Sequence, residues 1–202
     1  MAGAVTNPSG IPEIKPDKFD RAIWFTSHPN IEGGYTVDNG GPTNFGITQS
    51  TLDAFSKKRG MPRLAVDQIT QDDAKAIARQ QYFDEPKLDL LPERVAVAAF
   101  DYGFNSGPYQ AIKDLQRVVN VKPDGMIGPD TQRAVEKYIQ ENGEDSLLHN
   151  YTERRANLMQ QLIQQNPSKY GPNANGWSNR IELLKSYLNF TQAQPQQQTG
   201  MA

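Results

Sequence analysis

Two carboxylates and a hydroxyl, Glu32, Asp38 and Thr43, fall within a dozen residues. They stand on a glycine-rich segment, Glu32-Gly33-Gly34-Tyr35 and then Asp38-Asn39-Gly40-Gly41-Pro42-Thr43. Paired carboxylates in a cleft can break a glycosidic bond, one as acid and the other as base or nucleophile. The leaving oxygen must be protonated, so the donor has to keep its proton near neutral pH. Apolar surroundings do this by raising a glutamate pKa from about 4.3 to about 6. Glu32 is the candidate acid, with Ile31, Tyr35, Phe45 and Trp24 as candidate surroundings. Asp38 is the candidate second carboxylate, activating a water or steadying positive charge at the sugar. The plainer reading of Glu32 is a solvated turn residue. Asp-Asn-Gly-Gly is likewise a turn former by itself.

The elements that must position these residues can be read from periodicity. Two Gly-Gly pairs oppose a helix, because each Gly costs roughly 1 kcal/mol relative to Ala. A hairpin over about 32–47 fits better. Pro16-Asp17 opens a helix in which Phe19, Ile23 and Trp24 share a face. Thr48 caps a helix over 49–58, closed by Gly60. Thr70-Gln71-Asp72-Asp73 is a capping-box variant opening a helix over 71–83. Pro92 opens Val95-Ala96-Val97-Ala98-Ala99-Phe100, apolar nearly all round and therefore the buried central helix. Further helices are expected from Pro108, over 130–141, near 145–165 and near 178–190. Residues 1–15 read as a flexible arm and residues 191–202 as a disordered polar tail.

Composition narrows the function classes. The chain has 202 residues, enough for one sizeable core. Its net charge of −2 opposes general nucleic-acid binding, which needs a basic face. No apolar run approaches the ~18–20 residues of a membrane helix, so stable membrane insertion is not expected. Met1-Ala2-Gly3-Ala4-Val5 lacks the basic start and apolar stretch of a signal peptide. There is no Cys, hence no disulfide and no thiolate metal site. His28 and His149 are too few and too far apart for a metal centre. No Gly-x-Ser-x-Gly elbow is present, which opposes a Ser/His/Asp hydrolase. No cofactor and no metal are expected. Lys57-Lys58-Arg59 and Arg154-Arg155 read as solvated helix faces.

Four motifs in order carry a family resemblance. Glu32-Gly33-Gly34-Tyr35 with Gly40-Gly41-Pro42-Thr43-Asn44-Phe45-Gly46-Ile47-Thr48 resembles the signature of glycoside hydrolase family 108. Phe100-Asp101-Tyr102-Gly103-Phe104-Asn105-Ser106-Gly107 resembles that family's Asp…Asn-Ser-Gly turn. Leu115-Gln116 with Asp124-Gly125-Met126-Ile127-Gly128-Pro129-Asp130-Thr131 resembles its peptidoglycan-binding region. Gly176-Trp177 with Asn179-Arg180 resembles its closing segment. One departure stands out: only Thr36 and Val37 separate Tyr35 from Asp38, so the hairpin is shorter than the family's.

The resemblance implies a mainly α, lysozyme-like fold with two helical lobes and a small β-hairpin carrying the catalytic Glu32. It divides the chain into a catalytic region over 16–91 and a peptidoglycan-binding helical region over 92–190 packed on it. It implies an N-acetylmuramidase of lysozyme type, inverting, with peptidoglycan glycan strands as partner. Thr43 resembles the water-orienting Thr of phage-type lysozymes; a strand hydroxyl bonded to backbone is the alternative. Tyr35, Phe45, Tyr82, Tyr102 and Asn105 are candidate sugar contacts, with core packing the alternative for each aromatic. A monomer is expected, made in the cytoplasm without a signal peptide and acting in the periplasm, with a holin, a dedicated export system and carriage in a virion as the open routes. The residues do not choose among a phage lysis protein, a virion lysin and a bacterial secretion-associated lysozyme. A non-catalytic peptidoglycan-binding or virion structural protein of the same fold is the rival.

Overall fold

The computed structural model describes residues 17–27, 34–38 and 41–188. The expected N-terminal arm and C-terminal tail lie outside these residues. Helix α1, Lys18–Thr26, starts in a reciprocal capping box between Asp17 and Asp20. Its buried stripe is Phe19, Ala22, Phe25 and Thr26. The expected stripe is corrected here: Trp24 is 60% exposed and stands outside the core. One helical step separates Phe25 from Trp24, and the steps from Phe19 to Ala22 and Phe25 fix which of them is inward.

Three short strands follow: β1 (Thr36–Asp38), β2 (Gly41–Asn44) and β3 (Ile47–Thr48), antiparallel in that order. Thr36 pairs with Thr43, and Asp38 with Gly41. Thr43 in turn pairs with Thr48. The expected hairpin thus gains a third strand. Phe45 and Gly46 make the turn between β2 and β3, with φ of 49° and 75°. Positive φ at both central residues matches the right-handed twist of the strands. Phe45 holds that geometry against its own Cβ, at a cost of about 1–2 kcal/mol. The sheet is tied to the body by Ile47, fully buried, and by Asn44, which donates to the Val66 carbonyl at 3.2 Å.

Helix α2, Gln49–Arg59, is capped by Thr48 and ends at Gly60 in the left-handed region. Helix α3, Gln71–Arg79, opens in the Thr70–Asp73 capping box. It continues as a wider π turn over Gln80–Asp84 rather than as α-helix. Helix α4, Glu93–Ser106, is the core axis, buried without interruption from Val95 to Gly103. Phe19 packs edge-on against Phe100 at 5.7 Å and against Phe83 at 5.6 Å. The turn into α5, Pro108–Val118, is tight because Gly103 has no side chain. A Cβ there would stand 3.1 Å from the Pro108 Cα.

Helices α6 (Pro129–Asn142), α7 (Glu144–Gln165), the short α8 (Pro167–Tyr170) and α9 (Ala174–Tyr187) complete the described residues. The loop between α5 and α6 is organised by the buried Gln116. Its amide oxygen accepts from the Gly125 N–H at 2.8 Å. Its amide nitrogen bonds the Asp124 carboxylate at 2.8 Å and the Met126 carbonyl at 2.9 Å.

A buried ion cluster joins four helices. Asp101 on α4 is wholly buried and is met by Arg155 of α7 at 2.5 Å and Arg180 of α9 at 2.7 Å. Thr26, the last residue of α1, donates to the same carboxylate at 3.4 Å. The expectation of a solvated Arg155 is therefore wrong: it is 1% exposed, with its guanidinium 5.0 Å from the Tyr102 ring centre. Burial raises the Asp101 pKa, but the two guanidiniums outweigh it and hold the carboxyl below its usual range.

A carboxyl depressed in the folded state stabilises above its unfolded pKa and loses that contribution as pH falls through the folded pKa. Asp101→Asn should therefore cost about 3–5 kcal/mol at pH 7. Below about pH 4, wild-type stability should fall toward that of the variant. Urea melts from pH 7 to pH 2 read this directly. Parallel pH slopes for the two proteins would contradict it.

Candidate active site

A cleft of about 560 Å³ opens between the end of α1, the turn at Phe45, α3 and the last residue of α9. Its apolar walls include Ile23, Trp24, Phe45, Phe104 and Tyr187. Trp24 stacks on Tyr187 at 5.5 Å, and Tyr187 stacks on Phe25 at 5.0 Å. Phe104 lies 5.0 Å from the Tyr82 ring. Pyranose rings present C–H faces, and exposed aromatic faces are their usual partners. A row of rings in an open cleft suits a sugar polymer.

The polar side of the cleft includes Asp20, Lys75 and Ser27. Asp20 has its pKa lowered, first by the Asp17 backbone N–H and then by Lys75. It therefore stays ionised near neutrality and is a poor proton donor. An acid for glycoside chemistry has to come from a different residue.

The site residues expected from sequence are distributed as follows. Glu32 lies outside the described residues. Ser27, five residues before it in the chain, lines the cleft. Asp38 occupies the last β1 position, in register with Gly41. Thr43 is half-buried at the middle of the sheet, between Thr36 and Thr48. Tyr35 is 52% exposed just ahead of β1. Phe45 lines the cleft. Tyr82 is half-buried behind Phe104, its hydroxyl 3.3 Å from that of Thr51. Asn105 is exposed at the end of α4 and donates to the Asp101 carbonyl at 2.8 Å.

Tyr102 is a correction. It is 1% exposed, and its hydroxyl donates to the Asp114 carboxylate at 2.7 Å. No sugar can reach it. Tyr102 and Asn105 are three residues apart and so lie nearly one turn from each other on α4. Tyr102 falls inside the buried stretch that ends at Gly103, whereas Asn105 stands past it, near the helix end and in solvent. Sequence reasoning also missed Phe104 and Tyr187 as cleft residues. Phe104 sits inside a motif already singled out. Tyr187 carries no local signal, since it meets α1 across most of the chain.

An α-rich body with a small antiparallel sheet beside an aromatic cleft is the architecture of a lysozyme-like fold, and the comparisons say which chemistry it carries. Residues 27–107 match the family model described as Glycosyl hydrolase 108, and residues 110–182 match a Predicted Peptidoglycan domain. Among solved structures, SagA of Brucella abortus is similar at 30% identity and a TM-score of 0.68. The match covers 86% of this chain and 95% of that one. A search of curated proteins found no match. The chain belongs to glycosyl hydrolase family 108 and carries that family's peptidoglycan-binding region. It is a peptidoglycan hydrolase acting on the cell wall. Among the described residues no helix is long and apolar enough to cross a membrane.

Two variants separate cleft from core. Phe45→Gly relieves the left-handed strain but adds unfolded-chain entropy, so Tm should stay within a few degrees. Losing the ring should weaken glycan binding roughly 3–10-fold, the worth of about 1 kcal/mol of ring contact. A fall in Tm with unchanged KM would contradict a cleft role. Tyr102→Phe should do the reverse. It removes one donor from Asp114 and should cost about 1–3 kcal/mol in urea melts, leaving kcat/KM unchanged.

Proposed function

We propose that this protein is an N-acetylmuramidase that cleaves the β-1,4 bond between N-acetylmuramic acid and N-acetylglucosamine. The observation that carries the reading is the aromatic cleft at the end of α1, entered by Ser27, in a chain of family 108. The conserved chemistry of glycoside hydrolysis asks for a proton donor at the leaving oxygen and a carboxylate across the sugar. Glu32 is proposed as the donor, following α1 directly in sequence. Asp38 is proposed as the base or charge stabiliser, and Thr43 as the residue that orients the water. The strand register supports grouping the last two. Asp38 closes β1 opposite Gly41, two residues along the strand from Thr36, the partner of Thr43.

With water held by Asp38 and Thr43 on the face opposite the acid, the reaction inverts. The glycosidic oxygen takes the Glu32 proton and leaves, while the water attacks the anomeric carbon and gives its proton to Asp38. The α-anomer is then the first product. In biological terms the reading is a monomeric phage lysis protein, made in the cytoplasm and passing a holin lesion to reach the periplasm.

Glu32→Gln keeps the shape of the side chain and removes the proton. It should fold normally and lose roughly 10²–10⁴-fold in turnover. The assay is clearing of outer-membrane-permeabilised Gram-negative cells. More than a tenth of wild-type turnover would sink Glu32 as the acid, and binding without lysis by the wild type would favour a non-catalytic protein. Asp38→Asn should lower turnover strongly with binding nearly intact. NMR of the new reducing end should show the α-anomer first; an initial β-anomer would rule out inversion and make Asp38 a candidate nucleophile.

A further inference from the structure

A second groove, separate from the aromatic cleft, lies between α5 and α7 and encloses about 980 Å³. Both of its walls fall within the matched peptidoglycan region, 110–182. At its floor is Asp114, 2% exposed. One carboxylate oxygen accepts from Arg117 at 2.7 Å and from Arg154 at 2.8 Å. The other accepts from the Tyr102 hydroxyl at 2.7 Å and from Gln110 at 2.9 Å. Burial raises the Asp114 pKa, but these donors outweigh it, so the carboxylate stays charged and fully bonded.

Two guanidiniums from different helices therefore converge on one buried oxygen. Like charges are brought together and fixed there, with their outer edges toward the groove. The Arg154 side chain is 43% exposed and that of Arg117 is 33% exposed. A guanidinium offers five N–H donors in a planar fork, and one bond to Asp114 leaves most of each fork for a ligand. Such a fork matches a carboxylate in two parallel bonds.

Most of the rest of the α7 wall is amide, with Leu158 the apolar exception. Arg154, Asn157, Gln161 and Gln164 recur at steps of three and four residues and share one face. That strip, continued back to Asn150, spans about 21 Å at 1.5 Å per residue. An extended peptide of about five residues covers at most ~17 Å. The groove also holds Glu153, whose charge is met by Lys185 at 3.1 Å.

We infer that this groove binds the peptide stem of peptidoglycan. The arginine pair takes a stem carboxylate, and the amides of α7 bond the stem backbone. The inference rests on the assignment of the chain as a peptidoglycan hydrolase. Stem peptides are short, extended and rich in free carboxylates and amides. Bare glycan offers hydroxyls, N-acetyl groups and the lactyl carboxylate of each muramic acid, but no run of backbone amides to match the α7 strip beside the arginine pair.

The test is binding of the full chain, at low temperature, to purified sacculi fixed on a surface through their glycan strands. Intact fixed sacculi are compared with fixed sacculi whose stems have then been removed by an amidase, so that the strands stay in place once their peptide cross-links are gone. Stripping should weaken wild-type binding roughly tenfold. The double variant Asn157→Asp/Gln161→Glu changes two exposed positions and should lose the same factor on intact sacculi, with no further loss on stripped ones. Arg154→Gln should behave likewise. A free stem tetrapeptide, titrated by NMR, should shift α7 amides of the wild type and not of the double variant. New reducing ends are counted separately, so a failed catalytic reading shows as missing ends with stem-dependent binding intact. Equal wild-type binding to intact and stripped sacculi would overturn the inference. So would wild-type affinity in the double variant.

Discussion

The structure hangs on one buried carboxylate. Asp101 has no exposure to solvent and is held between Arg155 and Arg180. Moving these charges out of water costs several kcal/mol per ion, and their attraction repays this only with close geometry. What the cluster fixes is register. Arg180 and Tyr187 lie seven residues apart on α9, two turns along one face. Pinning Arg180 to α4 sets the rotation of α9, and with it the placing of Tyr187 against Trp24 and Phe25 in the cleft. Thr26 reaches the same carboxylate from the end of α1. The two matched regions, 27–107 and 110–182, thus meet at a single anion, while the cleft is lined by the first of them together with α1 and Tyr187, which flank the matched segments.

A second buried carboxylate extends the same logic. Tyr102 sits between the two centres, its ring near Arg155 and its hydroxyl on Asp114. Both centres set charge inside the body beside the apolar run of α4 from Val95 to Phe100. One centre joins α1, α4, α7 and α9, and the other underlies the groove between α5 and α7. A body rigid at these points can hold a polymer on two faces at once.

Much of this was legible in the sequence. Caps at Thr48 and Thr70, the stop at Gly60 and the apolar run of α4 depend on neighbours in the chain, and each stands where its chemistry puts it. The glycine-rich signature located the sheet and its turn. Contacts across the chain were not legible. Arg155 reads as a solvated cation until its partner on α4 is known, because no local pattern distinguishes a buried arginine from an exposed one. Trp24 and Phe25 are adjacent large aromatics, and which faces the core is decided by packing against α4 and α9. Tyr102 belongs to a motif with functional neighbours, yet it faces the other way. Phe45 is the converse case. Its motif position was informative, and its strained φ of 49° shows a ring kept at the cleft at some cost.

The central claim is that the aromatic cleft performs muramidase chemistry on peptidoglycan. Identifying the newly formed ends tests it most directly. Purified sacculi are digested, the products reduced with borohydride, and the reduced sugars resolved by mass spectrometry. Cleavage between N-acetylmuramic acid and N-acetylglucosamine by this enzyme predicts N-acetylmuramitol at every new end. Accumulation of N-acetylglucosaminitol instead would place the cut at the other glycosidic bond and contradict the account.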